Sequence, residues 1–194
     1  FYTFTTPNGY KVAIMLEELG LPYQVHVVDI RKDEQFKLEF LKISPNNKIP
    51  AIVDSDGPDG KPISVFESAA ILIYLAQKTK SPLLPAGPRE FTKVMEWAFF
   101  QMASVGPMFG QMFHFAMVAK EKIPYAVDRY TNETKRILRV MDKQLSDSTH
   151  LAGTNYSIAD ILTYPWVVTI SNYMFKDMSS WPNVERDRKS TRLN

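Results

Sequence analysis

The first half of the chain alternates short apolar runs with amphipathic stretches, a pattern typical of a small α/β domain. Residues 1–4 are aromatic and β-branched and predict a strand, and helical spacing then continues to a stop at Gly20. Residues 23–28 alternate and predict a second strand, which a crossover of this length makes parallel to the first. The remaining predicted elements are a short helix within 29–41, hairpin strands at 51–54 and 63–66, and a helix opening at Glu67-Ser68.

The second half carries no strand pattern and consists of long apolar helical stripes. Ser157 and Asp160 form the [ST]-x-x-[DE] pattern of a capping box, so we interpret Asp160 as a structural carboxylate at the start of a helix. The predicted helices are 90–119 with a bend near Gly106-Pro107, 124–145, one reaching about residue 172, and one after Trp181-Pro182-Asn183.

These patterns predict two domains. Residues 1–78 form the α/β domain, the proline-rich segment 79–88 is a linker, and 89–186 form an all-helical domain whose last helix is truncated. Residues 187–194 resemble a translated sequencing adapter, so we set them aside as a non-native tail.

Charge and hydropathy narrow the possible partners. The formal net charge of the chain is +2, and the tail alone accounts for it, so the remaining body is neutral. A neutral body offers no argument for nucleic acid or anionic membranes as partners. Apolar runs stay well short of the ~20 residues that span a bilayer, and we expect a cytoplasmic protein.

The chain contains no cysteine, which excludes disulfides, thiolate metal sites and any redox chemistry based on its own thiols. Its three histidines, His26, His114 and His150, are scattered without metal-ligand spacing, so we expect no metal.

The segment Thr5-Thr6-Pro7-Asn8-Gly9-Tyr10-Lys11 joins the first strand to the first helix, and we call it the elbow. Backbone N–H groups at a helix start, together with the Thr6 hydroxyl and the Asn8 amide, can hold an anion. One hypothesis is that this anion is the thiolate of a small ligand. The alternative is that Thr6 and Asn8 only cap the helix and shape the turn. We expect Lys11 on the solvated side of the helix. Ile49-Pro50, directly before a predicted strand, is a candidate cis peptide.

Four motifs follow one another along the chain: Asn8-Gly9-Tyr10-Lys11, Asn46-Asn47-Lys48-Ile49-Pro50-Ala51-Ile52, Phe66-Glu67-Ser68-Ala69-Ala70-Ile71 and Asn155-Tyr156-Ser157-Ile158-Ala159-Asp160. In this order they resemble glutathione transferases over about residues 1–186. More narrowly, the chain is similar to the bacterial Nu class in Thr6-Pro7-Asn8-Gly9, Ser44-Pro45-Asn46-Asn47-Lys48-Ile49-Pro50 and Gly106-Pro107-Met108. The resemblance implies a thioredoxin-like N-terminal domain that binds glutathione as co-substrate, an all-α C-terminal domain and a homodimer.

The resemblance also implies roles for individual residues. Thr6 and Asn8 would stabilise the glutathione thiolate, and the activity would be reduction of a small disulfide, or attack on an electrophile, without an enzyme cysteine. Glu67 and Ser68 would hold the γ-glutamyl end, and Pro50 would be the cis-proline. The implied glutathione-binding residues are Gln35, Lys48, Ile49, Pro50, Glu67, Ser68 and Arg129.

A stripe of methionine and phenylalanine along 90–119 has two interpretations. It is either core packing or an adaptable apolar wall for a substrate, with Met108, Met112 and His114 as pocket residues. For His114 a core or interface position is the alternative. A glutathione-binding regulatory module with little turnover is the alternative function, and a translation-factor-like scaffold is disfavoured because it would not need an intact elbow.

Overall fold

The computed structural model describes residues 1–190, so residues 191–194 of the predicted tail lie outside the described part of the chain. Within it the chain divides into two compact units, one spanning Phe1–Leu84 and one beginning at Pro85. None of the helices between residues 1 and 190 is both long and apolar enough to cross a membrane.

The first unit contains a mixed sheet of four strands in the order β2-β1-β3-β4. β1 and β2 are parallel, as the crossover predicts, and the other two pairs are antiparallel. The strands are β1 (Tyr2–Thr3), β2 (His26–Val27), β3 (Ala51–Asp54) and β4 (Ile63–Phe66). Its helices are α1 (Pro7–Glu18), the single turn α2 (Leu38–Leu41) and α3 (Ser68–Thr79).

Strand β2 is shorter than the alternating pattern of residues 23–28 predicts. It pairs only with β1, at Tyr2 with His26 and Thr3 with Val27, and β1 itself is two residues long. The chain leaves the sheet for the elbow soon after Thr3, so further residues of the edge strand have no partner. Strands β3 and β4, in contrast, have the predicted bounds because each pairs with the other along its whole length.

The second unit is helical. Its α-helices are α4 (Pro88–Phe100), α5 (Gly106–Phe113), α6 (Pro124–Ser146), α7 (Ile158–Tyr173) and α8 (Pro182–Ser190). The helix predicted over 90–119 is interrupted by π-helical turns at Gln101–Val105 and His114–Val118. The first interruption directly precedes Gly106-Pro107, where proline removes a backbone donor and where the sequence predicts a bend.

Each unit has its own apolar core. In the first, Val12, Met15 and Leu16 of α1 are buried, as are Ile71 and Leu72 of α3. In the second, buried side chains from α5, α6, α7 and α8 form one cluster that includes Phe109, Met112, Ile137, Leu138, Met141, Ile170 and Val184. These cores fix the helix starts on which the candidate site is built.

Candidate functional site: the elbow and the start of helix α3

Thr6 is the N-cap residue of α1. Its backbone is extended, with φ −143° and ψ 158°, and its Oγ accepts a hydrogen bond of 3.1 Å from the Gly9 N–H. The Thr6 carbonyl oxygen accepts a second bond, of 3.0 Å, from the Tyr10 N–H. Thr6 therefore caps the helix as the structural interpretation requires. A hydroxyl that accepts through its oxygen still carries a proton to donate, so capping and ligand binding are compatible.

The same bonds show which donors of the elbow are already used. Pro7 has no N–H group, and the amides of Gly9 and Tyr10 both donate to Thr6. The expectation that the first helix amides act as a group on an anion is therefore wrong for these positions. The roles of the Thr6 hydroxyl and of the half-buried Asn8 as donors to a ligand stay predictions from the family resemblance.

Gly9 allows this close packing. A Cβ atom at Gly9 would lie 2.5 Å from the Phe4 carbonyl oxygen and would also collide with the Thr3 hydroxyl. The strand before the elbow and the first turn of α1 can approach this closely only because residue 9 has no side chain. The sequence alone does not predict this close approach of Gly9 to Thr3 and Phe4.

Lys11 is buried, and the expectation that it faces solvent is wrong. Its side chain is 1% exposed, and its Nζ lies 3.3 Å from the Ser68 Oγ at the first residue of α3. Burial lowers the pKa of Lys11 to about 7, although the nearby Glu67 carboxylate opposes this shift. Helical periodicity indicates this burial, because Lys11 lies four residues before the buried Met15 and so on the same face of α1.

Glu67, the residue before α3, has a backbone conformation that is rare for a residue with a side chain. Its φ is 69° and its ψ 118°, and its carbonyl oxygen accepts a 2.9 Å bond from the Ile71 N–H. Its side chain is exposed, whereas that of Ser68 is buried. Backbone strain of this kind costs about 1–3 kcal/mol and is concentrated at functional sites, and here it falls on the residue directly before α3.

The predicted cis peptide Ile49–Pro50 is present. A turn precedes it, in which the Asn47 N–H donates to the Ser44 carbonyl oxygen over 2.9 Å. The Ser44 hydroxyl donates to the Lys48 carbonyl oxygen over 2.8 Å. This turn fixes the backbone of residues 48–50, while the Lys48 side chain is exposed.

Gln35 lies in a 3-10 turn, Glu34–Phe36, of the first unit. Its amide oxygen is buried and has no hydrogen-bond partner among residues 1–190. Buried polar atoms in proteins are nearly always paired, so an unpaired one in a half-exposed residue indicates an acceptor that a ligand would satisfy.

The implied residues of the second unit lie in different surroundings. Met108 and Arg129 both line an open cavity of about 660 Å³. His114 is exposed, and its ring packs edge-on against Phe115. Met112 is completely buried in the helical core, so the core interpretation applies to it and it does not line this cavity.

Asp160 has the structural role predicted for it. It completes the capping box of α7 with Ser157 and is buried. Residues 1–190 contain no group of three or more histidine, aspartate or glutamate side chains arranged to hold a metal ion.

Comparison with known proteins identifies the family. The glutathione S-transferase N-terminal domain matches residues 6–78, and the C-terminal domain of the same family matches residues 105–186. The chain is also 46% identical to the disulfide-bond oxidoreductase YfcG of Escherichia coli, over 98% of this chain and 91% of the relative. The chain belongs to the glutathione transferase family. Its first unit is thus the thioredoxin-like domain of that family, and its second unit is the helical domain.

Solved structures of the family show the same fold. A glutathione transferase from Burkholderia graminis, with two glutathione molecules bound per subunit, has a TM-score of 0.94 and 43% identity, covering 100% of this chain and 82% of that one. A glutathione transferase from Pseudomonas putida, with one glutathione disulfide bound per subunit, has a TM-score of 0.94 and 42% identity, covering 100% and 86%.

Proposed function

We propose that this chain is a glutathione-dependent disulfide reductase that also has the capacity to transfer glutathione to an electrophile. The observation that carries the proposal is the Thr6 hydroxyl, held at the N-cap of α1 by the Gly9 amide. The relatives whose names or structures pair this fold with disulfide reduction and glutathione support it.

Thr6 and Asn8 act on a sulfur that belongs to the ligand, because the chain has no cysteine. A free thiol with a pKa of about 8.5 is only a few per cent thiolate near neutral pH. Hydrogen bonds donated to the sulfur by the Thr6 hydroxyl and the Asn8 amide favour the thiolate. Each unit by which they lower the thiol pKa corresponds to about 1.36 kcal/mol of preferential stabilisation.

The reaction uses two glutathione thiols per disulfide. The first thiolate attacks one sulfur of the substrate, forming a mixed disulfide and releasing the other half as a thiolate that takes up a proton. A second glutathione thiolate then attacks the glutathione sulfur of the mixed disulfide. This step forms glutathione disulfide and releases the remaining substrate thiol, so electrons and protons balance.

Residues of the first unit bind the rest of glutathione in this proposal. The Glu67 carboxylate pairs with the γ-glutamyl ammonium. The γ-glutamyl carboxylate is bound by the Ser68 hydroxyl and by the backbone N–H groups at the start of α3. Gln35 supplies its unpaired amide oxygen to a ligand N–H. The backbone before cis-Pro50, from Lys48 to Ile49, pairs with the cysteinyl part.

The roles of two residues in the second unit stay predictions from the family resemblance. They are Arg129 as a glutathione contact and Met108 as a substrate contact, and both line one cavity within that unit. His114 is exposed and is a further substrate contact. Met112 lies buried in the core of that unit.

Homodimer formation and a cytoplasmic location are part of the same proposal. Exposed aromatic side chains, among them Phe66 on β4 and Phe99 on α4, provide apolar surface that a second copy would cover. A reducing compartment keeps glutathione as the thiol that the reaction consumes. Light scattering of the purified chain tests the dimer directly.

Turnover of hydroxyethyl disulfide by elbow variants tests the function. Thr6→Val removes the hydroxyl with little change of shape, Thr6→Ser keeps it, and Thr5→Val is the matched control in the exposed neighbour. Loss of one donor is expected to raise the pKa of the bound thiol by about one unit and so to lower turnover near neutral pH about tenfold in Thr6→Val and in Asn8→Ala, with glutathione binding retained. Thr6→Ser and Thr5→Val should retain turnover within about threefold.

Unchanged turnover in a Thr6→Val, Asn8→Ala double variant would contradict the assigned roles. A wild-type chain that binds glutathione but neither reduces disulfides nor conjugates an electrophile would instead be the glutathione-binding module.

A further inference from the structure

A buried lysine lies behind the residues that we assign to the γ-glutamyl end of glutathione. Lys11 on α1 and Ser68 on α3 are 57 residues apart in sequence, yet the Lys11 Nζ lies 3.3 Å from the Ser68 Oγ. Lys11 is 1% and Ser68 4% exposed. Methionine or leucine would fill the same space without a buried amine, so packing alone does not account for a lysine at this position.

The direction of this hydrogen bond depends on the charge of Lys11. An ammonium group has three donors and no acceptor, so a charged Lys11 can only donate to the Ser68 oxygen. The proton of the Ser68 hydroxyl must then go to an acceptor other than Lys11. A neutral amine can accept a hydrogen bond instead, and the Ser68 hydroxyl would then donate its proton to Lys11.

The neighbouring charges favour the ammonium form when a ligand is present. The Glu67 carboxylate raises the pKa of Lys11, against the lowering caused by burial. A ligand carboxylate at the start of α3 would add a second negative charge on the same side. The positive end of the helix dipole and the ammonium group then both attract that carboxylate.

We propose that Lys11 is a positioning residue, which orients the Ser68 hydroxyl so that its proton is donated to the γ-glutamyl carboxylate of glutathione. This inference rests on the proposed glutathione site. Lys11 does not touch the ligand in this account and acts only through Ser68 and through its buried charge.

The test compares glutathione with γ-aminobutyryl-cysteinylglycine, an analogue that lacks only the γ-glutamyl carboxylate. Wild type should bind glutathione at least about tenfold more tightly than the analogue, the preference that one charge-assisted hydrogen bond supplies. In Lys11→Met and in Ser68→Ala this preference should fall about fivefold, and the amides at the start of α3 should supply what remains. The double variant should bind no more weakly than either single one, because both act through one hydrogen bond. Lys61→Met, in an exposed loop, is the control and should keep the full preference.

Steady-state kinetics separates positioning from a general structural effect. Lys11→Met should raise the KM for glutathione about tenfold and leave kcat at saturating glutathione within about twofold. Equal weakening of both ligands by Lys11→Met, or additive effects in the double variant, would overturn the inference. Lys11→Gln, which keeps an N–H donor, is the second variant if Lys11→Met does not fold. Loss of the preference in folded Lys11→Gln would also overturn it.

Failure of the proposed function has a different signature. A wild-type chain that binds neither ligand would overturn the glutathione site and, with it, the role of Lys11. A wild-type chain that prefers glutathione, with a Lys11→Met variant that keeps the preference, would overturn only the role of Lys11.

Discussion

The buried carboxylate of Asp160 permits a quantitative prediction about stability. Its Oδ1 accepts a 2.9 Å hydrogen bond from the Leu151 N–H, and its Oδ2 accepts one of 2.9 Å from the Ser157 N–H. The Ser157 hydroxyl donates to Oδ2 as well, over 3.0 Å. Asp160→Ala removes the acceptor of two backbone donors at once, in a place where Asp160 is 3% exposed.

The expected loss follows from these bonds. A hydrogen bond to a charged group contributes roughly 1.5–3 kcal/mol, so two of them give about 3–6 kcal/mol. Burial raises the pKa of Asp160 because desolvation disfavours the charged carboxylate, and this cost offsets part of the gain. We therefore expect Asp160→Ala to lower the free energy of unfolding by about 3 kcal/mol. Asp160→Asn keeps one acceptor oxygen and should lose about half as much.

Urea unfolding followed by tryptophan fluorescence measures the loss. Asp177→Ala is the matched control, because the Asp177 carboxylate accepts a 2.9 Å bond from the Ser179 N–H in an exposed position. Water replaces that bond when it is lost, so the control should lose no more than about 0.5 kcal/mol. An Asp160→Ala loss equal to that of the control would refute the reasoning.

Three further changes test other parts of the account. Gly9→Ala should lower the melting temperature and abolish disulfide reduction, because its Cβ would displace the Phe4 carbonyl oxygen; retained turnover would contradict this. Gln35→Met should raise the melting temperature of the free protein and weaken glutathione binding, because it removes an unpaired buried oxygen; calorimetry checks both. The pKa of Lys11 is about 7 in the folded chain and about 10.4 in the unfolded chain. Between these values the unfolded chain binds more protons, so the free energy of unfolding should rise with pH from about 7 to about 10. Lys11→Met should remove that rise in melting scans.

Much of the fold could be predicted because local signals agreed with tertiary structure. Strands β3 and β4 have the predicted bounds because the turn residues of segment 55–61 mark where one strand ends and the next begins. Ser157 and Asp160 form the predicted capping box, because all of its bonds lie within one turn. The cis peptide at Pro50 is predicted by its place before a strand and by the family resemblance, and it is present.

The remaining features depend on contacts between distant segments. The hydrogen-bond partner of Lys11, Ser68, lies on another helix 57 residues away in sequence, so the local sequence around Lys11 does not reveal this contact. The engagement of the Gly9 amide by Thr6 depends on the close approach of strand and helix at the elbow. The positive φ of Glu67 cannot be predicted from the sequence, because glutamate before a helix does not by itself indicate an unusual backbone conformation.

Titration of the thiol of bound glutathione tests the central claim most directly. The thiolate absorbs in the far ultraviolet, so its absorbance can be followed against pH in wild type, Thr6→Val and Thr6→Ser. We expect the bound thiol to have a pKa at least one unit below the free value of about 8.5, with Thr6→Val returning about one unit of that shift. Thr6→Ser should titrate like wild type. The same pKa in wild type and Thr6→Val, with glutathione bound to both, would contradict the claim that Thr6 stabilises the ligand thiolate.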